Sequence, residues 1–367
     1  MKRSELPGSV GEGLKQRGVT RREFLKFCTA MTAMLALPPA MAGVMAEAIS
    51  RARRQSVIWL SFQECTGCTE SITRSHSPTL ETLIFDLISL DYHHTLQAAS
   101  GAAAEHAREL AMKGNEGKYL LIVDGSIPLG NAGYSCIAGI SNHDMLVETA
   151  RGAAAIVAVG TCATYGGIPK ADPNPTGAVS VSDIIKDKPI INVPGCPPIP
   201  VVMTGVLAHF LTFGSIPELD DLGRPKSFYG ETIHDRCYRR PFYDQGKFAQ
   251  SFDDEAARKG WCLFKLGCKG PVTYNACATT KWNDGTSFPI QSGHGCIGCS
   301  EPRFWDAGPL YKALSMPVSA TSATLGVAAA AGAAAGVAIT WHNRSTKAAA
   351  KAAHERVSVQ ELTREGK

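Results

Sequence analysis

The sequence predicts an α/β protein in which a doubly wound parallel sheet is followed by an irregular, cysteine-rich domain and a C-terminal helix. Three observations predict this. Four short apolar runs, Val57–Leu60, Tyr119–Val123, Ala154–Val159 and Pro189–Val193, have the continuous hydrophobicity of strands buried on both faces. Helical patterning separates them, with an amphipathic crossover helix expected over Thr79–Leu90 and another near His143–Arg151. After Asp220-Asp221-Leu222-Gly223-Arg224-Pro225 the pattern stops, and the chain becomes rich in Gly, Pro, aromatics and Cys. The first domain is therefore placed at 55–225, with the flavodoxin-like arrangement. The second, 226–315, has few regular elements with which to build a core and is expected to be organised by metal centres.

The flanks read differently. Thr20-Arg21-Arg22-Glu23-Phe24-Leu25-Lys26-Phe27 precedes an apolar stretch that runs to about Val44, with small-residue steps at Ala40-Met41-Ala42 and Ala46-Glu47-Ala48. Residues 1–48 thus read as a twin-arginine export peptide, cleaved between about Ala42 and Ala48, and Cys28 would leave with it. The plainer alternative is an amphipathic basic helix. Between Lys312 and His342 stand 29 uncharged residues, and Ala323–Trp341 holds nine Ala and three Gly. This weakly hydrophobic span is read as a transmembrane helix over 318–341, the alternatives being an Ala/Gly tail or a helix packed on a partner. The basic tail 342–367 would then stay in the cytoplasm. Residues 1–27 carry +4, 28–54 carry +2 and 342–367 carry +3 of a total of +4, which leaves −5 on 55–341. A nucleic-acid-binding body is excluded on that balance.

The 12 cysteines are too few for a disulfide scaffold and too clustered to be filler. Three predicted strands lead into cysteine: Val57–Leu60 to Cys65 and Cys68, Ala154–Val159 to Cys162, and Pro189–Val193 to Cys196. Ligands of such sheets bind beyond the carboxyl ends of the strands, so the four thiolates are expected to share one crevice. They suit a [4Fe–4S] cluster or a structural zinc. Further on, His234 and Cys237 with Cys262 and Cys268 make a His/Cys₃ set, while Cys277, Cys296 and Cys299 make a set of three. Three thiolates are unusual for zinc and suit a cube that lacks one iron, with the non-ligating Pro289 at the place of a fourth donor. Cys136 is expected to be a small buried hydrophobe.

Beyond single cysteines, the chain resembles the small, electron-transferring subunit of membrane-associated periplasmic [NiFe] hydrogenases along nearly its whole length. The carriers are Glu64-Cys65-Thr66-Gly67-Cys68-Thr69-Glu70, Gly125-Ser126-Ile127-Pro128, Gly160-Thr161-Cys162-Ala163-Thr164-Tyr165-Gly166-Gly167, Asn174-Pro175-Thr176-Gly177, Pro194-Gly195-Cys196-Pro197-Pro198, Leu266-Gly267-Cys268-Lys269-Gly270-Pro271 and Gly293-His294-Gly295-Cys296-Ile297-Gly298-Cys299. The resemblance implies a proximal [4Fe–4S] cluster on Cys65, Cys68, Cys162 and Cys196. It implies a medial [3Fe–4S] cluster on Cys277, Cys296 and Cys299, and a distal [4Fe–4S] cluster on His234, Cys237, Cys262 and Cys268. Two [4Fe–4S] and one [3Fe–4S] clusters would then relay electrons from a nickel–iron centre on a large-subunit partner. The acceptor would be a membrane cytochrome b or a similar quinone-linked protein on the periplasmic side of the inner membrane. The arginine and Asp-Pro contexts of nickel-binding C-x-x-C pairs are missing here, which places hydrogen activation on the partner. Gly67 and Gly167 stand where oxygen-tolerant relatives have extra cysteines, so an ordinary cube is implied. Glu64 is implied at the subunit interface, as a hydrogen-bond or proton-relay group or a plain turn carboxylate. An iron–sulfur carrier or redox sensor without a catalytic partner is the competing reading.

Overall fold

The computed structural model describes residues 9–314. Five strands, β1 (Gln55–Ser61), β2 (Ile88–His93), β3 (Leu120–Asp124), β4 (Ala155–Val159) and β5 (Ile190–Val193), form one wholly parallel sheet in the order β2-β1-β3-β4-β5. This is the flavodoxin-like order, with its switch point between β1 and β3. Every residue of β3 and β4 is buried, as their unbroken apolar runs require.

The helix expected over Thr79–Leu90 is not formed as such. One α-helical turn, Leu80–Thr82, passes into a π-helical turn, Leu83–Leu87, and the chain then becomes β2. The spacing of Leu80, Leu83, Ile84 and Leu87 satisfies a helix locally. From Ile88 onward, however, the ladder from Gln55↔Ile88 to Trp59↔His93 supplies parallel pairing that a helix could not. Tyr92 and His93 are buried there, and Asp91 accepts hydrogen bonds from Ser56 at 2.5 Å and Ser89 at 2.7 Å. A strand that joins the edge of a sheet is decided by its partner and not by its own periodicity.

Eight principal helices surround the sheet: α1 (Val10–Gln16), α2 (Arg21–Met34), α3 (Met41–Arg51), α4 (Gly67–Thr73), α5 (Ala102–Gly114), α6 (Asn142–Arg151), α7 (Gly160–Tyr165) and α8 (Pro200–Phe213). Helix α6 matches its expectation. The residues read as an export peptide fold as α1–α3, with capping boxes at Ser9/Glu12 and Thr20/Glu23. Their apolar faces are covered: Cys28, Met31, Met45 and Ile49 are fully buried. Helices α2 and α3 pack on α8, which is buried continuously over Pro200–Ala208. Arg17 reaches Glu81 at 3.1 Å and the buried Asp86 at 3.5 Å.

The chain divides into two compact units. Among the described residues, the first holds those up to Ile233 together with Val272–Phe288 and Gly298–Gly308, and the second holds His234–Pro271, Pro289–Ile297 and those from Pro309. Composition marks the change at 225/226, whereas two later segments return to the first unit. In the second unit the regular elements are single turns, Arg240–Asp244, Glu255–Arg258 and Phe264–Leu266, around the aromatic rings of Tyr243, Phe248 and Phe264. The span expected at 318–341 and the tail at 342–367 lie outside the described residues. Among the described residues no helix is long and apolar enough to cross a membrane.

Candidate functional site

Parallel strands end on one edge of their sheet, and here the chain leaving that edge carries Cys65 and Cys68 after β1, Cys162 in α7 after β4, and Cys196 after β5. β3 ends there too, in Asp124. These groups are close enough to perturb one another. Burial pushes the Cys68 thiol well above its ordinary value, and the charges of Asp124, Cys162 and Cys196 add to the shift. The Cys162 thiol is pushed up to about 12 by burial and then by Cys196 and Asp124, and that of Cys196 to about 11 by burial and then by Cys299 and Cys65. Thiols this reluctant to ionise are poor nucleophiles, but a metal ion deprotonates a coordinating thiol outright.

The backbone around them leaves room where side chains would fill it. Gly160 sits at φ +82, and a Cβ there would lie 2.5 Å from Cys68 Sγ. Gly167 sits at φ +57, where a Cβ would meet Cys162 Sγ at 2.6 Å and Cys162 Cα at 2.7 Å. At Gly67 the contact, 3.1 Å to Cys65 Sγ, is milder. Glu64 is half-buried, and its carboxyl is raised by burial against the opposing hydrogen bond from Thr66 Oγ1, 3.2 Å away.

Cys277 and Cys299 also belong to the first unit, and Cys296 to the second. Both first-unit cysteines lie near the fully buried Tyr229, whose phenol is pushed far up by burial with help from Tyr165 and Cys277 and, more weakly, Cys299. Two residues past Cys299, Glu301 accepts both Arg224 Nη1 contacts, at 3.1 and 3.2 Å, and the Tyr274 amide at 2.6 Å. The 4% exposed Arg224 also donates from Nε to Asp220 at 2.7 Å. This buried ion network ties the Cys299 loop to the Asp220–Arg224 turn that follows α8.

In the second unit, Cys237, Cys262 and Cys268 perturb one another. Backbone amides aim at their sulfurs: Arg239 N lies 3.4 Å from Cys237 Sγ, and Cys296 N lies 3.3 Å from Cys268 Sγ. His234 joins them through its own amide, which donates to Gly270 O at 3.2 Å, and a Cβ at Gly270 would lie 3.4 Å from Cys268 Sγ and 3.9 Å from His234 Cβ. Burial, chiefly, lowers the His234 pKa and keeps the imidazole neutral, the form that binds metal. The exposed Pro289 accepts the His294 amide at 2.9 Å.

Among the described residues no three His, Cys, Asp or Glu side chains converge closely enough to enclose a single metal ion. The buried thiols, the amide–sulfur contacts and the glycine-lined space fit a larger group, in which each iron takes its own ligand. Cys136 departs from expectation. It is exposed, on the short ladder of Cys136–Ile137 with Ile140–Ser141, and its thiol donates to Ala132 O at 3.0 Å. Its ladder neighbours Ile137 and Ile140 pack against the core, and successive side chains of a strand point to opposite faces, which turns Cys136 outward. Asp124 is the site residue that the sequence reading passed over. Its carboxyl is raised to about 7, by burial first and then by Glu64, and its Oδ2 is buried without a hydrogen-bond partner. A charged residue closing the apolar run Leu120–Val123 is the signal that could have found it.

Residues 229–312 match the C-terminal family of the NiFe/NiFeSe hydrogenase small subunit, and residues 65–210 match the family described as NADH ubiquinone oxidoreductase, 20 Kd subunit. The chain is 52% identical over 303 residues to the uptake hydrogenase small subunit of Azotobacter vinelandii, covering 82% of this chain and 85% of that one. It is 50% identical over 330 residues to the hydrogenase-1 small chain of Escherichia coli K12, covering 87% and 89%. Among solved structures, an H2-activated [NiFeSe]-hydrogenase of Dm. baculatum aligns with a TM-score of 0.67 at 36% identity, covering 72% of this chain and 100% of that chain. The actinobacterial-type NiFe-hydrogenase of Ralstonia eutropha H16 aligns with 0.66 at 28% identity, covering 75% and 88%. With its parallel sheet and its cysteines spaced as described, the chain belongs to the small subunits of the [NiFe] uptake hydrogenases.

Proposed function

We propose that this chain is the electron relay of an uptake hydrogenase, holding a [4Fe–4S] cluster on Cys65, Cys68, Cys162 and Cys196, a [3Fe–4S] cluster on Cys277, Cys296 and Cys299, and a [4Fe–4S] cluster on His234, Cys237, Cys262 and Cys268. The observation that carries the reading is the gathering of four thiols beyond the carboxyl ends of β1, β4 and β5, with glycines keeping the space beside their sulfurs clear. When bound, the clusters supply one-electron storage, at potentials set by ligand charge, hydrogen bonding and exposure. The protein's part is to hold, shield and tune. Amides such as Arg239 N and Cys296 N donate to ligand sulfurs and stabilise their negative charge. Burial of Cys68, Cys237, Cys262 and Cys268 excludes water. His234 replaces one thiolate by a neutral ring, which makes its ligand shell less negative and suits it to the electron exit.

Hydrogen is split on the large-subunit partner, and the two electrons leave through this chain one at a time. The acceptor is a membrane cytochrome b or a comparable quinone-linked protein, reached on the periplasmic side after twin-arginine export, with 318–341 as anchor. Gly67 and Gly167 leave the proximal set with four thiols and imply an ordinary cube. Glu64, half-buried beside Cys65, would hydrogen-bond or relay a proton at the subunit interface. Iron, nickel and acid-labile sulfide analysis of the purified complex tests the reading, alongside electron paramagnetic resonance. Iron and sulfide are expected with this chain and nickel with its partner, and a Cys162→Ser variant should alter one iron–sulfur signal. A colourless chain carrying zinc, or resonance unaffected by Cys162→Ser, would overturn it.

A further inference from the structure

One buried hydroxyl stands where two of the cysteine sets meet, and its bonds are all made to the segments that carry them. Thr161 lies in the first turn of α7, directly before Cys162, and is 1% exposed. Its Oγ1 donates to the carbonyl oxygen of Cys299 at 2.5 Å and accepts the Gly195 amide at 2.9 Å. The Thr161 amide in turn donates to Gly195 O at 2.9 Å. The hydroxyl's single proton is thus spent on the Cys299 loop, and a lone pair on the residue before Cys196. Three ligand-bearing segments, those of Cys162, Cys196 and Cys299, are fastened at one side chain.

The clamp has a consequence for Cys196 and Cys299. By bridging the Gly195 amide and the Cys299 carbonyl, the hydroxyl fixes the backbone of one ligand-bearing residue against the residue that precedes the other. Tyr229 holds the same turn from behind, its hydroxyl donating to Pro194 O at 2.7 Å.

We propose that Thr161 is a positioning residue for electron passage between the proximal and medial sets, its hydroxyl bridging the Gly195 amide and the Cys299 carbonyl so that the Cys162, Cys196 and Cys299 segments keep the spacing at which the two sets are electronically coupled. The inference rests on the assignment of those sets to two clusters. One electron crosses per event, the proximal side being oxidised as the medial side is reduced. No covalent bond forms or breaks, and the Thr161 proton stays on Oγ1. A merely structural threonine would support folding and leave the coupling between intact centres alone.

The test uses the purified heterodimeric holoenzyme carrying Thr161→Val, which keeps the shape and deletes the hydroxyl, and Thr161→Ser, which keeps the hydroxyl. Iron and sulfide content and the spectrum of each centre are read first. The magnetic interaction between the two centres, and the rate at which the medial signal is reduced after mixing with hydrogen, are read second. Thr161→Val is expected to retain both centres but to show a weakened interaction and a severalfold slower medial reduction, and Thr161→Ser to restore both. Unchanged interaction and rate in a fully loaded Thr161→Val complex would overturn the proposal. If Thr161→Val does not load iron, Thr161→Ser decides: native coupling supports the hydroxyl's role, and coupling weakened with both centres present refutes it. A native complex lacking two separate iron–sulfur signals would instead refute the assignment of the sets, a distinguishable failure.

Discussion

Replacing Arg224 by leucine is expected to loosen the loop that carries Cys299. The guanidinium is 4% exposed, bonded to Asp220 at 2.7 Å and to Glu301 at 3.1 and 3.2 Å, and it faces the Tyr229 and Tyr274 rings at 5.6 and 5.3 Å. Deleting one partner of a buried ion pair costs about 3–5 kcal/mol, because the other charge is left unpaired. The lower end applies here. Asp220 keeps the Leu222 and Arg224 amides at 2.9 and 2.8 Å, and Glu301 keeps the Tyr274 amide at 2.6 Å. A loss of about 3 kcal/mol, at about 1.4 kcal/mol per decade, makes local opening about a hundredfold more frequent. Amide hydrogen exchange in Gly298–Gly308 reads this directly, for instance at the Glu301 amide, which donates to Gly298 O at 2.8 Å.

The sign of the pH dependence follows from Glu301. Burial raises its carboxyl, and Arg224 opposes that rise. A carboxyl whose folded pKa exceeds its unfolded value favours the folded state increasingly as pH falls. Without Arg224 the folded value climbs further, so the Arg224→Leu deficit is expected to be largest at mildly alkaline pH and to shrink as Glu301 takes up a proton. Glu301→Gln in the Arg224→Leu background removes the stranded charge, keeps an acceptor for Tyr274 and should recover part of the protection. An exchange increase below about threefold, or about 0.6 kcal/mol, would refute the ion network as the anchor of this loop.

Two further perturbations address the sites themselves. Gly160→Ala places a methyl 2.5 Å from Cys68 Sγ at φ +82; the left-handed backbone alone costs about 1–2 kcal/mol, and the displaced sulfur is expected to deplete iron and sulfide at the proximal set. An iron content equal to that of the native complex would contradict the steric argument. Pro289→Cys is expected to supply a fourth thiolate and replace the three-iron resonance of the oxidised protein by a four-iron centre of lower potential, and retention of the original signal would show that Pro289 is a turn residue only.

Much of this was legible before folding because it depends on local rules. Unbroken apolar runs mark strands buried on both faces, and β1, β3, β4 and β5 fall on the four runs that show them. Cysteines placed just after such runs must emerge at the carboxyl edge of a parallel sheet, so the proximity of Cys65, Cys68, Cys162 and Cys196 follows from topology. β2 was not legible in that way. The helix expected to Leu90 takes in its first residues, 88–90, and only the parallel ladder to β1 makes an extended conformation the better one. Cys136 was misread for a related reason, since burial depends on what covers a residue and not on its type.

Residue identity and spacing therefore determined which atoms are available to bind: ten thiols and one imidazole in ordered motifs, on a chain of flavodoxin-like pattern. Tertiary structure alone decided which groups those atoms meet. Asp124 beside Cys68, Thr161 between Gly195 and Cys299, and Arg224 between Asp220 and Glu301 are pairings of residues that are up to 138 positions apart. The physical reason is range. Strand and helix preferences act over a few neighbouring residues, whereas hydrogen bonds and charges are set by distance in space, which exists only once the sheet has brought its strand ends together.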